Sequence, residues 1–167
     1  MVKQEENNMQ NGYPRPQFVR ENWINLNGIW NFSFDDQNIG EKERWYDYFP
    51  SDRRKIQVPF SYETSLSGIG EETFHPVVWY QREIELKKTE KRMLLHLEGA
   101  DYTAVVWVNG QFAGKHTGAY ARFSFDITDY IKDGTNTITV RAEDSVSCVQ
   151  PRGKQRWKDQ NFGCWYV

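Results

Sequence analysis

The amino-acid sequence predicts an all-β domain built as a jelly-roll β-sandwich. Aromatic residues make up 16% of the 167 residues, and aromatic side chains fit the half-buried surface of a pleated sheet. About eight short segments alternate apolar with polar residues, and turn-forming residues separate them at near-regular spacing. No amphipathic helix of ten or more residues is indicated. Strands of this number and spacing form two packed sheets, for which the jelly roll is the commonest eight-stranded arrangement.

The first two strands follow from alternation and from the residues that bound them. Residues 29–34 come after an Asn-Gly turn and place three aromatic rings on one face. The rings belong to Trp30, Phe32 and Phe34. Residues 56–58 form a shorter strand, which Pro59 ends because proline cannot donate to a sheet ladder.

The densest strand pattern begins near residue 78. Residues 78–86 alternate so that one face is apolar except for a single cation, Arg82, while Trp79 lies on the other face. Because a buried guanidinium must be paired, we predict a partner for Arg82. A shorter alternating strand follows over residues 93–97.

A hairpin is predicted in the centre of the chain. Residues 103–108, which include Trp107, form a nearly unbroken apolar run that ends at Asn109 and Gly110. Asn-Gly is the strongest short hairpin signal because both residues tolerate positive φ. Residues 111–116 return as the partner strand.

The last predicted elements are short. Residues 121–125 alternate as a strand, and residues 126–131 resemble one helical turn. An Asp-Gly pair then precedes a strand over residues 138–142.

Length and charge indicate one domain without a nucleic-acid partner. Residues 1–13 are polar, which predicts a flexible leader, and residues 14–167 form a single domain. The formal net charge of −2 argues against nucleic acid and anionic membranes, since both require a surplus of Lys and Arg. No segment approaches the roughly 20 apolar residues that span a bilayer, and the polar first residues differ from a signal peptide. We therefore expect a cytoplasmic location.

Metal and cofactor signals are absent from the sequence. The two cysteines, Cys148 and Cys164, and the three histidines lack metal-ligand spacing. No phosphate-binding glycine loop or nucleophile motif is present. We expect neither a metal nor a cofactor.

Several motifs, in order, resemble the N-terminal sugar-binding domain of glycoside hydrolase family 2, which includes β-galactosidases, β-glucuronidases and β-mannosidases. The principal motifs are Trp79-Tyr80-Gln81-Arg82-Glu83, Trp107-Val108-Asn109-Gly110, Gly118-Ala119-Tyr120 and Asp126-Ile127-Thr128. The resemblance covers roughly residues 14–167. It implies a galactose-binding-like jelly roll that precedes an immunoglobulin-like domain and a (β/α)₈ barrel in a longer enzyme.

The same resemblance implies that both catalytic glutamates lie in the barrel, which needs about 250 residues of its own. Glycoside hydrolysis requires two suitably spaced carboxyl groups. The adjacent pairs Asp35 with Asp36 and Glu71 with Glu72 lie in polar loops, where solvated carboxylates are ordinary. We therefore expect no catalytic residue in this chain.

Sugar contacts implied by the resemblance are few. Family members carry an Asn just before the Trp-Tyr strand, but this chain has Val77 there, so that contact is not carried over. An acidic residue before the last strand corresponds to Asp159. Trp157 and Trp165 are further candidates for stacking on sugar. A structural role is expected for Trp79, Arg82, Trp107, Asn109 and Gly110.

Two long polar loops, residues 35–52 and 61–76, are either functional or packing lids. Their aromatic residues Trp45, Tyr46 and Tyr62 could stack on sugar or pack against a sheet, and both readings stay open.

The expected function is that of a non-catalytic domain, whose partners are the other domains of a parent β-galactosidase- or β-glucuronidase-like glycosidase and, weakly, carbohydrate. The alternatives are an independent carbohydrate-binding module and a structural or oligomerisation domain. The family pattern continues into a final strand beyond this chain, so an open sheet edge could support a homo-oligomer.

Overall fold

The computed structural model describes residues 22–145, which form eight β-strands and two short 3₁₀ segments. The strands are β1 (Gly28–Phe34), β2 (Arg54–Val58), β3 (Val77–Leu86), β4 (Leu94–Leu97), β5 (Thr103–Val108), β6 (Gln111–Thr117), β7 (Phe123–Asp126) and β8 (Gly134–Glu143). The predicted all-β sandwich is confirmed. Most strands differ from their predicted bounds by one or two residues, whereas β8 begins four residues earlier than predicted.

All pairs of neighbouring strands are antiparallel, and their pairing is nested. A six-stranded sheet has the order β2-β1-β3-β8-β5-β6, and a second sheet pairs β4 with β7. Strand β3 pairs with β8, β4 with β7, and β5 with β6, so each pair lies inside the previous one along the chain. This is the topology of a long hairpin rolled into two layers, as in a jelly roll. Strands β1 and β2 extend the larger sheet beyond β3.

The main core lies on one face of the six-stranded sheet. Trp30 and Phe32 are buried there and Phe34 packs against them, which confirms the aromatic face predicted for β1. Val106 and Ile138, from the neighbouring strands β5 and β8, are at most 1% exposed. Apolar area removed from water by such residues is the dominant favourable term in folding.

The opposite face of the same sheet carries a second apolar cluster. It contains Val77, Trp79, Val105 and Trp107, against which the loop residues Trp45, Tyr46 and Phe49 pack. Strand β5 is therefore buried on both faces, which explains its unbroken apolar run. The loop over residues 35–52 is a packing lid.

The predicted hairpin forms between β5 and β6. Asn109 has a φ of 52° and Gly110 a φ of 77°, the left-handed conformations that this turn requires. A register shift near Val106 and Trp107 brings Trp107 opposite Phe112.

Within residues 22–145, the Arg82 guanidinium is paired with two main-chain carbonyls. Its Nη1 donates to the oxygens of Leu26 at 2.7 Å and Asn27 at 2.9 Å. Burial lowers the pKa of the Arg82 guanidinium. These bonds tie the segment before β1 to the middle of β3.

Candidate functional site

Polar side chains gather at one end of the sandwich, where β1 ends and β2 and β3 begin. The resemblance implies that the loop before β3 is one of two segments that approach sugar. Val77, the first residue of β3, is 3% exposed and packs in the second apolar cluster. It offers no polar group there, so the neighbouring residues define the candidate site.

His75 links the loop before β3 to the end of β1. Its Nδ1 lies 2.7 Å from Asp36 Oδ1, and its Nε2 lies 3.0 Å from Thr73 Oγ1. The imidazole stacks on the Phe34 ring with centroids 3.6 Å apart. The main-chain N–H of His75 donates to the Tyr62 hydroxyl at 3.3 Å. Three contacts therefore hold the His75 side chain, and a fourth holds its main chain.

Glu71 extends this network. One of its oxygens, Oε1, accepts from the Thr73 hydroxyl at 2.7 Å and from the Thr73 main-chain N–H at 3.1 Å. These bonds lower the pKa of Glu71, and the nearby guanidinium of Arg54 acts in the same direction. A glycosidase acid needs a raised pKa, so Glu71 is unsuited to that role.

Asp35 differs from the solvated carboxylate that we expected. It is 2% exposed and accepts from the main-chain N–H groups of Ile39 at 2.8 Å and Gly40 at 2.9 Å, as well as from the Trp79 indole at 3.0 Å. The expectation was wrong because the 35–52 loop folds back over the sheet. Both oxygens of Asp35 are engaged, so its role is structural.

Arg54 lies beside the same aromatic residue that supports His75. Its guanidinium carbon is 5.2 Å from the centroid of the Phe34 ring, within cation–π range. A polar hollow of about 120 Å³ lies beside it. The hollow is lined by Phe32, Ser33, Phe34, Asp52 and Arg54.

The predicted sugar-binding residues Asp159, Trp157 and Trp165 lie outside the described residues. Within them, two loop aromatics pack instead of forming a platform. Tyr46 stacks on Trp107 with centroids 5.1 Å apart, and Trp45 lies 5.8 Å from Trp79.

Tyr62 is also a packing residue. Its ring lies 5.3 Å from that of Phe34 and 5.7 Å from that of His75. Burial raises the pKa of Tyr62 to about 12.

A second polar network lies at the opposite end of the sandwich, around Asn109. Its Nδ2 donates to the oxygen of Tyr130 and to Asn136 Oδ1, both at 2.8 Å, and its Oδ1 accepts from the N–H of Thr137 at 2.9 Å. Asn136 is fully buried and bonds to the main chain of Lys132 through both ends of its amide. This network fixes the hairpin turn against the start of β8.

Sequence reasoning missed the roles of Asp36, Thr73, His75, Arg54 and Asn136. The available signals were the two consecutive Asp residues after the first predicted strand and the Asn two residues before the last one. Over residues 22–145, no group of three His, Cys, Asp or Glu could hold a metal ion. No helix in the same part of the chain is long and apolar enough to cross a membrane.

Comparison with known proteins establishes the class. The family model described as "Glycosyl hydrolases family 2, sugar binding domain" matches residues 23–160, and the chain belongs to this family. The resemblance seen in the sequence is confirmed.

Individual relatives agree with this assignment. A β-galactosidase of Thermoanaerobacter pseudethanolicus is 33% identical over 125 residues, which is 72% of this chain and 16% of the relative. A β-glucuronidase of Paenibacillus borealis is 31% identical, over 77% of this chain and 22% of its own length. A solved β-glucuronidase from Ruminococcus gnavus is 27% identical, with a TM-score of 0.65 over 71% of this chain and 20% of that one. The chain thus spans about a fifth of the length of such relatives.

Proposed function

We propose that this chain is the non-catalytic N-terminal domain of a longer family 2 glycoside hydrolase of the β-galactosidase or β-glucuronidase type. It would position a (β/α)₈ barrel and frame the barrel's sugar pocket, while the whole enzyme hydrolyses O-glycosyl bonds. The observation that carries the proposal is the family match over residues 23–160 in a chain that covers only about a fifth of its relatives.

The carboxyl groups support a non-catalytic role. Retaining and inverting glycosidases need one carboxyl group whose pKa is raised. Hydrogen bonds from Thr73 and Thr128 instead lower the pKa values of Glu71 and Asp126, respectively. Asp35 is buried and bonded through both oxygens. These groups act as local structural acceptors.

The partners in this proposal are the other domains of the parent enzyme and, weakly, carbohydrate. The end of the sandwich that carries His75 and Arg54 would face the barrel, because the loop before β3 ends there. A cytoplasmic location, expected from the polar first residues, stays a prediction.

Association through an open sheet edge also stays a prediction. The outer strands of the described six-stranded sheet are β2 and β6. They carry the cations Arg54, Lys55 and Lys115. Charged side chains on edge strands disfavour pairing with another copy.

A complementation experiment tests the proposed function. The product of the longest open reading frame that contains this chain is expressed both intact and after deletion of residues 1–167. Both polypeptides are assayed on chromogenic β-galactosides, β-glucuronides and β-mannosides. We expect activity from the long polypeptide, loss of activity on deletion, and partial recovery when the separate 167-residue chain is added back. Full activity of the deleted polypeptide, or no glycosidase activity in the long one, would contradict the proposal.

A further inference from the structure

The hollow beside Arg54 is formed by a mismatch in strand length. Strand β2 pairs with β1 only as far as the Phe32–Arg54 pair, whereas β1 continues to Phe34 and pairs there with β3 alone. The last two residues of β1 therefore have no strand beside them on the β2 side. The hollow of about 120 Å³ lies at this step in the sheet edge.

The two charged residues that line the hollow retain unused hydrogen-bonding capacity. None of the ion pairs found in residues 22–145 involves Asp52 or Arg54, although their charges are opposite. The contact found for the Arg54 guanidinium is the face of the Phe34 ring, while its charge also acts on the nearby Glu71 carboxylate. A carboxylate can only accept hydrogen bonds when ionised, and a guanidinium can only donate them.

The Phe34 ring beside the Arg54 guanidinium is held in place by neighbouring side chains. The Phe34 ring stacks on His75, and His75 is held by Asp36 and Thr73. Phe34 also meets Tyr62 edge-on, with ring centroids 5.3 Å apart. A binding group held in place before the ligand arrives loses less conformational freedom on binding.

We propose that this hollow binds the vicinal hydroxyl groups along one edge of a neutral pyranoside. One sugar hydroxyl donates to the Asp52 carboxylate and its neighbour accepts from the Arg54 guanidinium. A uronide gains no net charge attraction in the hollow, because Arg54 would attract its carboxylate while Asp52 would repel it. The inference rests on the proposed function, since it places sugar at the end of the domain that faces the barrel.

The test is a titration of the ¹⁵N-labelled 167-residue chain, followed by amide chemical shifts. The probes are methyl β-D-galactopyranoside, methyl β-D-glucopyranoside and methyl β-D-glucuronide. We expect the neutral glycosides to shift the amides of residues 33–34 and 52–54 with a Kd of roughly 1–10 mM. The glucuronide should bind no more tightly than the neutral glycosides.

Variants with a matched control assign the binding groups. Arg54→Met removes the guanidinium but keeps the length of the side chain, and Asp52→Asn removes the charge but keeps the shape. Each should weaken binding by about tenfold. Arg53→Met makes the same change one position away, at a residue that does not line the hollow, and should leave Kd within about twofold. Dispersed amide spectra of all three variants show that they are folded.

Three results would overturn the inference. They are shifts confined to other residues or absent altogether, equal weakening by Arg53→Met and Arg54→Met, and tighter binding of the glucuronide than of the neutral glycosides. If the long polypeptide hydrolyses glycosides but sugar does not shift the amides around the hollow, only this inference fails. If the hollow binds sugar while the long polypeptide is inactive, only the proposed function fails.

Discussion

The indole Nε1 of Trp79 donates a 3.0 Å hydrogen bond to the carboxylate of Asp35, although 44 residues separate them. The same carboxylate accepts from the main-chain N–H groups of Ile39 and Gly40. One buried acid thus joins the lid over residues 35–52 to the outer face of β3. Because the lid covers the second apolar cluster, this bond couples loop structure to the burial of Trp79 and Trp107.

Removal of the Asp35 carboxylate should destabilise the domain. Asp35→Ala leaves two buried donors and one half-buried donor without their acceptor, and we expect a loss of about 2–4 kcal/mol in the free energy of unfolding. Urea unfolding followed by Trp fluorescence measures this loss. Asp36→Ala is the matched control, because Asp36 is exposed and its hydrogen bond with His75 is worth about 0.5–1.5 kcal/mol. Equal losses in the two variants would contradict the role given to Asp35.

Gly40 is required by its distance from Trp79. A Cβ at residue 40 would lie 2.6 Å from Trp79 Nε1 and 2.8 Å from Asp35 Oδ2. Gly40→Ala should therefore cost about 1–3 kcal/mol through overpacking. Trp79→Phe removes the indole Nε1, which is the atom nearest to that Cβ. Gly40→Ala should therefore cost at least about 1 kcal/mol less in the Trp79→Phe variant than in the natural sequence. Strictly additive losses in the double-mutant cycle would refute the steric explanation.

The side-chain amide of Asn109 should contribute more to the free energy of unfolding than the turn conformation of its main chain does. Asn109→Gly keeps a residue that accepts the φ of 52° but removes three hydrogen bonds, so we expect a loss of about 2–4 kcal/mol. Asn38→Gly is a matched control, since Asn38 has a φ of 51° and its side chain is bonded to Arg141. It should cost about 0.5–1.5 kcal/mol. The prediction fails if thermal unfolding ranks the two variants in the opposite order.

Stability should fall at alkaline pH because two tyrosines are partly buried against the main core. Burial raises the pKa of Tyr62 to about 12, and it raises the pKa of Tyr80 further. An unfolded tyrosine ionises near pH 10, so the unfolded chain releases these protons first and stability declines as pH rises from about 10. Urea midpoints measured between about pH 9 and 12 should show this decline. The Tyr62→Phe, Tyr80→Phe double variant should lose less stability over the same pH range. An equal loss in the double variant would show that these two tyrosines do not cause the decline.

The layered fold could be predicted from the sequence because its signals are local. The alternation in β3 and the Asn109-Gly110 turn depend on neighbouring residues, and both appear where the sequence indicates. The main core follows from the same alternation, because Trp30 and Phe32 share a face.

The second cluster and the candidate site depend on contacts that no local pattern encodes. Trp79 lies on the face predicted to be polar, and it is buried because a distant loop covers it. His75 meets Asp36 across 39 residues. A single sequence shows neither which loop folds back nor which polar residues then meet. The hollow beside Arg54 depends on a difference in strand length, and strand ends are the least predictable feature of a sequence.

The most direct test is the rate at which the purified 167-residue chain hydrolyses chromogenic β-galactosides, β-glucuronides and β-mannosides. We predict a rate equal to that of buffer, because the carboxylates of Asp35 and Glu71 are engaged as structural acceptors and the proposed function places the bond-breaking groups elsewhere in a longer enzyme. A rate that increases in proportion to chain concentration and is lost in Glu71→Gln or Glu72→Gln would contradict it.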